Sequence, residues 1–196
     1  MRKLIFLAVY LLASFQASAS EDCANIVNDE RRLACYDAEY QPSSTVSKES
    51  EWMVNQEVSP IDDSVSVYMR VFSKEPIPAR FRGEGKAELW LRCQENTTSL
   101  LLNMAGHHMT SVQQYGRVVW RLDDDAARTI SMTESTNNRS LGLWRGGVSI
   151  PEIKRMFGHD VLTVRATPFS ESPITTQFPI TGLKEAIKPL REACNW

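Results

Sequence analysis

From Trp52 onward the chain is dominated by a hydrophobic period of two. Val65, Val67, Met69 and Val71 alternate with Ser64, Ser66, Tyr68 and Arg70. Ala87, Leu89, Leu91 and Cys93 alternate with Lys86, Glu88, Trp90 and Arg92. Successive side chains on a strand point to opposite faces, so these segments bury one face and wet the other. Leu100, Leu102 and Met104 resume the pattern beyond Glu95-Asn96-Thr97-Thr98, which predicts a hairpin. Val118, Trp120 and Leu122 run into Asp123-Asp124-Asp125, with Ile130 and Met132 returning. Further strands are expected at Leu141–Trp144, Asp160–Thr167 and Ile174–Ile180. Many short strands joined by polar turns specify a mainly β fold, an antiparallel β-sandwich, with a closed barrel as its competitor.

Two helices interrupt the strands. Ser149-Ile150-Pro151-Glu152 reads as a capping box that starts one, and Gly158 supplies its stop. Ile153, Met156 and Phe157 form its apolar face. The C-terminal segment places Leu183, Ile187, Leu190 and Cys194 on one stripe, and Pro189 is expected to kink or split it.

The four cysteines are Cys23, Cys35, Cys93 and Cys194, and they allow three pairings. On one continuous helix Cys23 and Cys35 would stand about 18 Å apart, far beyond disulfide reach. Asn28-Asp29 offers a break, with Asn28 as N-cap and Asp29 and Glu30 suited to the first turn of a new helix running to Tyr40. A helical hairpin over residues 20–40 would then bring Cys23 and Cys35 together. Cys93 faces inward on its strand and Cys194 lies on the apolar stripe of the last helix, which makes them the second pair. Free thiols or a metal site are the alternative, but the spacings match no zinc pattern.

The N-terminus decides which chemistry those thiols meet. Arg2 and Lys3, the apolar run Leu4 to Ala13, and Ala17-Ser18-Ala19 compose an export signal over residues 1–19, with cleavage expected before Ser20. The apolar run is too short for a membrane anchor, so no membrane insertion is expected after cleavage. Exported thiols enter an oxidising compartment, where disulfides persist. The remaining chain carries 20 basic and 24 acidic side chains, a net charge of −4. No basic stripe forms, so a nucleic-acid partner is not expected. Residues 41–51 are polar and serine-rich and read as a linker, leaving 52–196 as the β-domain.

Motifs with a defined mechanism are missing: there is no Gly-x-Ser-x-Gly, HExxH, P-loop or GxGxxG. No catalytic residue, metal ligand or cofactor is therefore expected. His107 and His108 are adjacent and would face opposite ways on a strand, so they read as solvent or loop-edge residues. His159-Asp160 could be an oriented base, but follows Gly158 at a helix exit and reads as a turn. Asp62-Asp63 and Asp123-Asp124-Asp125 read as solvated turns without calcium-loop spacing. The stretch from Thr133 to Arg139, followed by Leu143-Trp144-Arg145-Gly146-Gly147, is different in kind. A polar loop presenting Trp and Arg between glycines is the composition of a recognition surface. The candidate partner surface is Glu134, Asn137, Arg139, Trp144 and Arg145, the competing reading being a hairpin with Trp144 in the core.

The blocks SPIDDS, LWLRCQENTTSLLL, YGRVVWRLDD, MTESTNN, LGLWRGG, IPEIKRMFGHDVLTVRATPF and ITTQFPITGLKEAIKPLREACNW resemble the type VI secretion-associated family VasI, also called TagO. The likeness runs from Cys23 to Trp196. It implies a periplasmic protein of a Gram-negative cell accompanying a type VI secretion apparatus, with a component of that apparatus or the cell wall as partner. It carries over no catalytic residues. Three functions are compatible with it: a non-enzymatic accessory, a periplasmic glycan- or peptide-binding module, and a peptidoglycan hydrolase using an acid pair such as Asp62 with Glu134.

The export reading has a direct test. N-terminal sequencing of the periplasmic fraction should return Ser20 as the first residue, whereas a start at Met1 or a lipidated Cys23 would refute it.

Overall fold

The computed structural model describes residues 23–39 and 50–196; the expected signal, the end of the expected helical hairpin at Tyr40 and most of the expected linker lie outside the described residues. The chain divides into two compact units, residues 1–45 and 46–196.

In the first unit a 3-10 turn, Cys23–Asn25, precedes helix α1, Asp29–Glu39. The Asn28 side chain accepts a hydrogen bond from the Arg31 N–H at 3.0 Å, satisfying one of the donors a helix start leaves open. Arg32 reinforces the bend by donating to Ile26 O at 3.1 Å and pairing with Asp29. The reversal closes the Cys23–Cys35 disulfide, with the Cα atoms 5.6 Å apart. The break at Asn28 therefore stands, but the arm before it is one 3-10 turn rather than a helix.

The second unit is mostly β, and every strand pairing in it is antiparallel. Strands β1 (Met53–Val58) and β2 (Val65–Phe72) begin it, and β3 (Ile77–Pro78) pairs with β4 (Glu84–Gly85) as a small ribbon. Strands β5 (Glu88–Gln94) and β6 (Thr97–Asn103) form the expected hairpin. Its turn is tighter than the four residues expected: Glu95 and Asn96 alone form it, at φ 49° and 52°, the left-handed pair that matches the twist of a two-residue hairpin. There follow β7 (Arg117–Leu122), β8 (Arg128–Ser131), β9 (Thr133–Glu134), β10 (Ser140–Leu143), β11 (Val161–Ala166) and β12 (Ile174–Pro179). One sheet runs β1-β2-β5-β6-β10-β9 and the other β12-β11-β7-β8. Among the described residues neither sheet closes on itself, so both keep free edges.

The inward faces of both sheets supply one hydrophobic core. Met69, Leu91, Leu100 and Leu141 come from the first sheet, and Trp120, Leu162, Val164 and Phe178 from the second. The alternation read from the sequence thus selects the buried residues. Strand β1 escaped that reading because all six of its residues are exposed on an edge, and an edge strand has no buried face to impose a period.

Helix α2 spans Gly146–Arg155 and begins a turn before the expected capping box. Gly146 and Gly147 carry the chain directly from β10 into the helix, which leaves Ser149 inside it. Its hydroxyl donates to Thr98 O at 2.7 Å, with Arg145 O at 3.1 Å as a second acceptor, instead of capping. Glu152 reaches Arg128 rather than back to Ser149. Gly158, at φ +84°, ends the helical segment as expected.

Pro189 splits the C-terminal segment into α3 (Leu183–Ala186) and α4 (Lys188–Ala193). Leu183, Ile187 and Leu190 are buried in the core, and Cys194 is bonded to Cys93. The tail is tied further by Trp196, whose indole N–H donates to Thr98 Oγ1 at 2.8 Å. The bridge spans a sequence separation of 101, so its loss should cost about 4–5 kcal/mol in the chain-entropy model. Cys194→Ser should therefore lower the melting temperature clearly more than Cys35→Ser, and non-reducing peptide mapping should recover both linked pairs. An unchanged melting temperature in Cys194→Ser would show that the tail is held without the bridge.

Candidate partner-binding site

Strand β10 puts Leu141 and Leu143 into the core and Gly142 on the outer face. The Trp144 ring folds back over that glycine: a Cβ at position 142 would lie 2.7 Å from the ring. Gly142 is thus required for a tryptophan to lie flat on the strand. The indole N–H donates to Thr133 O at 3.1 Å on the neighbouring edge strand. Trp144 is half-buried and Arg145 exposed, so Trp144 is neither core nor a free loop residue.

A groove of about 700 Å³ opens beside the ring. One wall is Ile130 and Thr133, the other Val148, Pro151 and Glu152 of α2, with Trp144 and Arg145 at the junction. Val148 is 51% exposed, an apolar side chain left facing the groove mouth. Glu152 is held in place by two hydrogen bonds from Arg128, at 3.0 and 3.1 Å. A second hollow of about 280 Å³ is lined by Glu134, Ser135, Thr136 and Trp144. Trp144 therefore stands as a ridge between two concavities.

The five expected surface residues divide accordingly. Glu134, Trp144 and Arg145 line these hollows. Asn137 lies in the adjoining turn, where its side-chain oxygen accepts from the Ser135 hydroxyl at 2.8 Å and the Arg139 N–H at 3.1 Å. Arg139 is exposed beside it, outside both hollows. The turn is held to the body through Asn138, whose side chain donates to Met109 O at 3.2 Å. Glu134 accepts the Ser111 N–H at 2.7 Å, and hydrogen bonding from Ser111 holds its carboxyl below the usual range. Ile130, Val148 and Pro151 escaped the sequence reading, because sheet and helix meet there only in three dimensions.

A family model described as type VI secretion system VasI, EvfG, VC_A0118 matches residues 22–196. The chain belongs to the VasI family. No curated protein matches it. Among solved structures it is similar to the crystal structure of invasion associated protein b from Bartonella henselae, at 10% identity and a TM-score of 0.45, over 75% of this chain and 96% of that one.

The acidic and histidine motifs of this VasI-family chain are placed away from the groove mouth. Asp62 accepts hydrogen bonds from Ser64 in the β1–β2 turn, while Glu134 sits on β9 at the opposite edge of the same sheet. Four strand spacings separate them, roughly 19 Å, whereas paired glycosidase carboxylates stand about 5–9.5 Å apart. His107 is not a solvent histidine. It is 3% exposed, with Nε2 donating to Pro78 O at 2.7 Å and Nδ1 2.8 Å from the Glu171 carboxylate. It ties the β3 ribbon to the loop before β12. His108 stacks edge-on against Phe169.

His159 pairs with Asp123 rather than Asp160, Nδ1 to Oδ2 at 2.9 Å. Asp123 also accepts the Asp160 and Val161 N–H groups at 3.1 and 2.8 Å, clamping the β7–β8 turn to the start of β11. Partial burial works to raise its pKa, but the hydrogen bonds from Val161, His159 and Asp160 outweigh it and leave the pKa lowered. A carboxyl with a depressed folded-state pKa adds stability above its unfolded value near 3.9, and loses it as pH falls through the folded value. Asp123→Ala should therefore lower the urea midpoint at neutral pH, with the gap to wild type closing in strong acid. A gap that stays constant down to the lowest pH would mean that the charge on Asp123 contributes nothing.

Proposed function

We propose that this VasI-family protein is a periplasmic, non-enzymatic accessory of a type VI secretion apparatus that acts by binding a component of the apparatus at the Trp144 groove. The groove itself carries the reading: a concavity of about 700 Å³ with apolar and polar side chains on both walls, bordered by an exposed arginine and a half-buried tryptophan. Tryptophan and arginine are the residue types in which interface energy concentrates, especially around a pocket that excludes water. Two disulfides suit an oxidising compartment and agree with the export signal read at the N-terminus. The wide separation of Asp62 and Glu134 speaks against the hydrolase alternative. Ile130, Val148 and Pro151 give the groove an apolar strip that suits an aliphatic side chain of a protein component.

Arg145→Ala and Val148→Asp test this without emptying the core, since both side chains are exposed. Both variants should fold normally by circular dichroism and melting temperature. Secretion of a marker exported by the apparatus should fall, since hot-spot truncations cost about 2 kcal/mol or more of binding. Normal secretion by both folded variants would remove the groove from the mechanism.

A further inference from the structure

The outer face of the six-stranded sheet carries a feature the groove does not explain. Register places Met53, Arg70, Trp90, Leu101 and Gly142 in one row across five strands. Tyr68, Arg92 and Ser99 form the next row, and the Ser99 hydroxyl reaches Trp144 O at 3.4 Å. All of these point away from the core, because their strand neighbours Met69, Leu91, Leu100 and Leu102 are fully buried.

Two guanidinium groups lie among the rings of this face. Arg70 stands 4.9 Å from the Phe72 ring centre and 5.3 Å from that of Trp90, and Arg92 stands 5.6 Å from that of Trp144. Among the described residues neither meets a carboxylate or any hydrogen-bond acceptor, and Arg92 Nε is buried without one. Elsewhere Arg32, Arg121, Arg128 and Arg155 each pair with an acidic side chain, while Arg165 and Arg191 donate to neutral oxygens of Thr175 and Trp196. A fully exposed arginine needs no partner, since water serves. Arg92 Nε, buried without an acceptor, carries a desolvation cost that cation–π contact with the ring offsets only in part, whereas the Arg70 donors are not buried.

Resting on the groove reading, we infer that the partner is a protein segment that seats an apolar side chain in the Trp144 groove and lays adjacent carboxylates on Arg92 and Arg70. Arginine held flat by an aromatic ring presents its donors as a fork that fits a carboxylate. Both indole N–H groups of the face are already used, Trp90 by Glu88 at 2.7 Å and Trp144 by Thr133 O. Of the neutral side-chain donors named on this face the Tyr68 hydroxyl remains, beside the two guanidinium groups. Trp144 lies between Arg92 and the groove in strand order, so the two seats are about two strand spacings apart, roughly 10 Å. An extended chain advances about 3.3 Å per residue. The segment therefore carries Asp or Glu about three residues from an apolar anchor.

A displayed random-sequence peptide library, selected against the full disulfide-bonded protein, reads this specificity directly. Wild type should enrich peptides with an apolar residue and an acidic residue at that spacing. Arg92→Glu and Arg70→Glu, each checked for an unchanged melting temperature, should weaken a selected peptide about tenfold or more by removing a charged pair. Val148→Asp should abolish its binding through the other seat. Peptides that need Val148 but show no acidic enrichment, or that ignore both arginine reversals, would overturn the inference and leave the groove reading standing. Failure to select any peptide, with wild type sedimenting on purified peptidoglycan sacculi instead, would overturn both.

Discussion

The two-residue turn at Glu95-Asn96 sets a register on which most of the larger unit depends. It places Cys93 opposite Thr98, and those two residues receive the rest of the chain. Cys93 takes the disulfide from Cys194. Thr98 accepts the Ser149 hydroxyl through its carbonyl and the Trp196 indole N–H through its side chain. A one-residue slip in the hairpin would turn every side chain of β6 to the other face. It would separate Ser149 of helix α2 and Trp196 of the C-terminal tail from Thr98 together. The left-handed backbone at both turn residues is an unfavourable conformation for a non-glycine pair, and the packed hairpin on either side overrides that preference.

The candidate site is a consequence of the same anchoring. Ser149 holds α2 against the start of β6, and α2 forms one wall of the groove. Trp144 lies at the turn from β10 into that helix and is supported from beneath by the bare backbone of Gly142. The ring is fixed by packing and by its hydrogen bond to Thr133 O, so little conformational freedom remains to be lost when a partner covers it. The arginines beside it are held by rings rather than by acids, which leaves their charge available. A binding surface of this kind combines a preformed apolar seat, which gives affinity, with unmatched charge, which selects the partner.

Particular residues show what could be read in advance. Cys93 and Cys194 were legible as a pair because strand parity and helix periodicity each pointed one of them inward. Pro189 announced a break and Gly158 a stop, both backbone properties that context does not reverse. Ser149 misled because a serine three residues before a glutamate looks the same at a helix start as one turn inside it. The difference lies in Thr98 O, 51 residues away, to which the Ser149 hydroxyl donates instead of accepting from the helix's own N–H groups. His107 misled for the same reason: only the fold brings Pro78 O and Glu171 to its two nitrogens.

Local physics written along the chain determined the mainly β character, the alternating core, the two disulfides, the helix stops and the membership in the VasI family. Those features depend on periodicity, backbone conformation and residue order, which are one-dimensional quantities. The tertiary structure alone decided that two open sheets share one core, that Trp144 lies flat as a ridge between two hollows, and that Arg70 and Arg92 are left without acids. Each of these depends on which residues from distant strands become neighbours. A groove wall drawn from Ile130 and Val148, or an arginine whose nearest ring is 52 positions along the chain, has no trace in local pattern, because it exists only after the strands have paired.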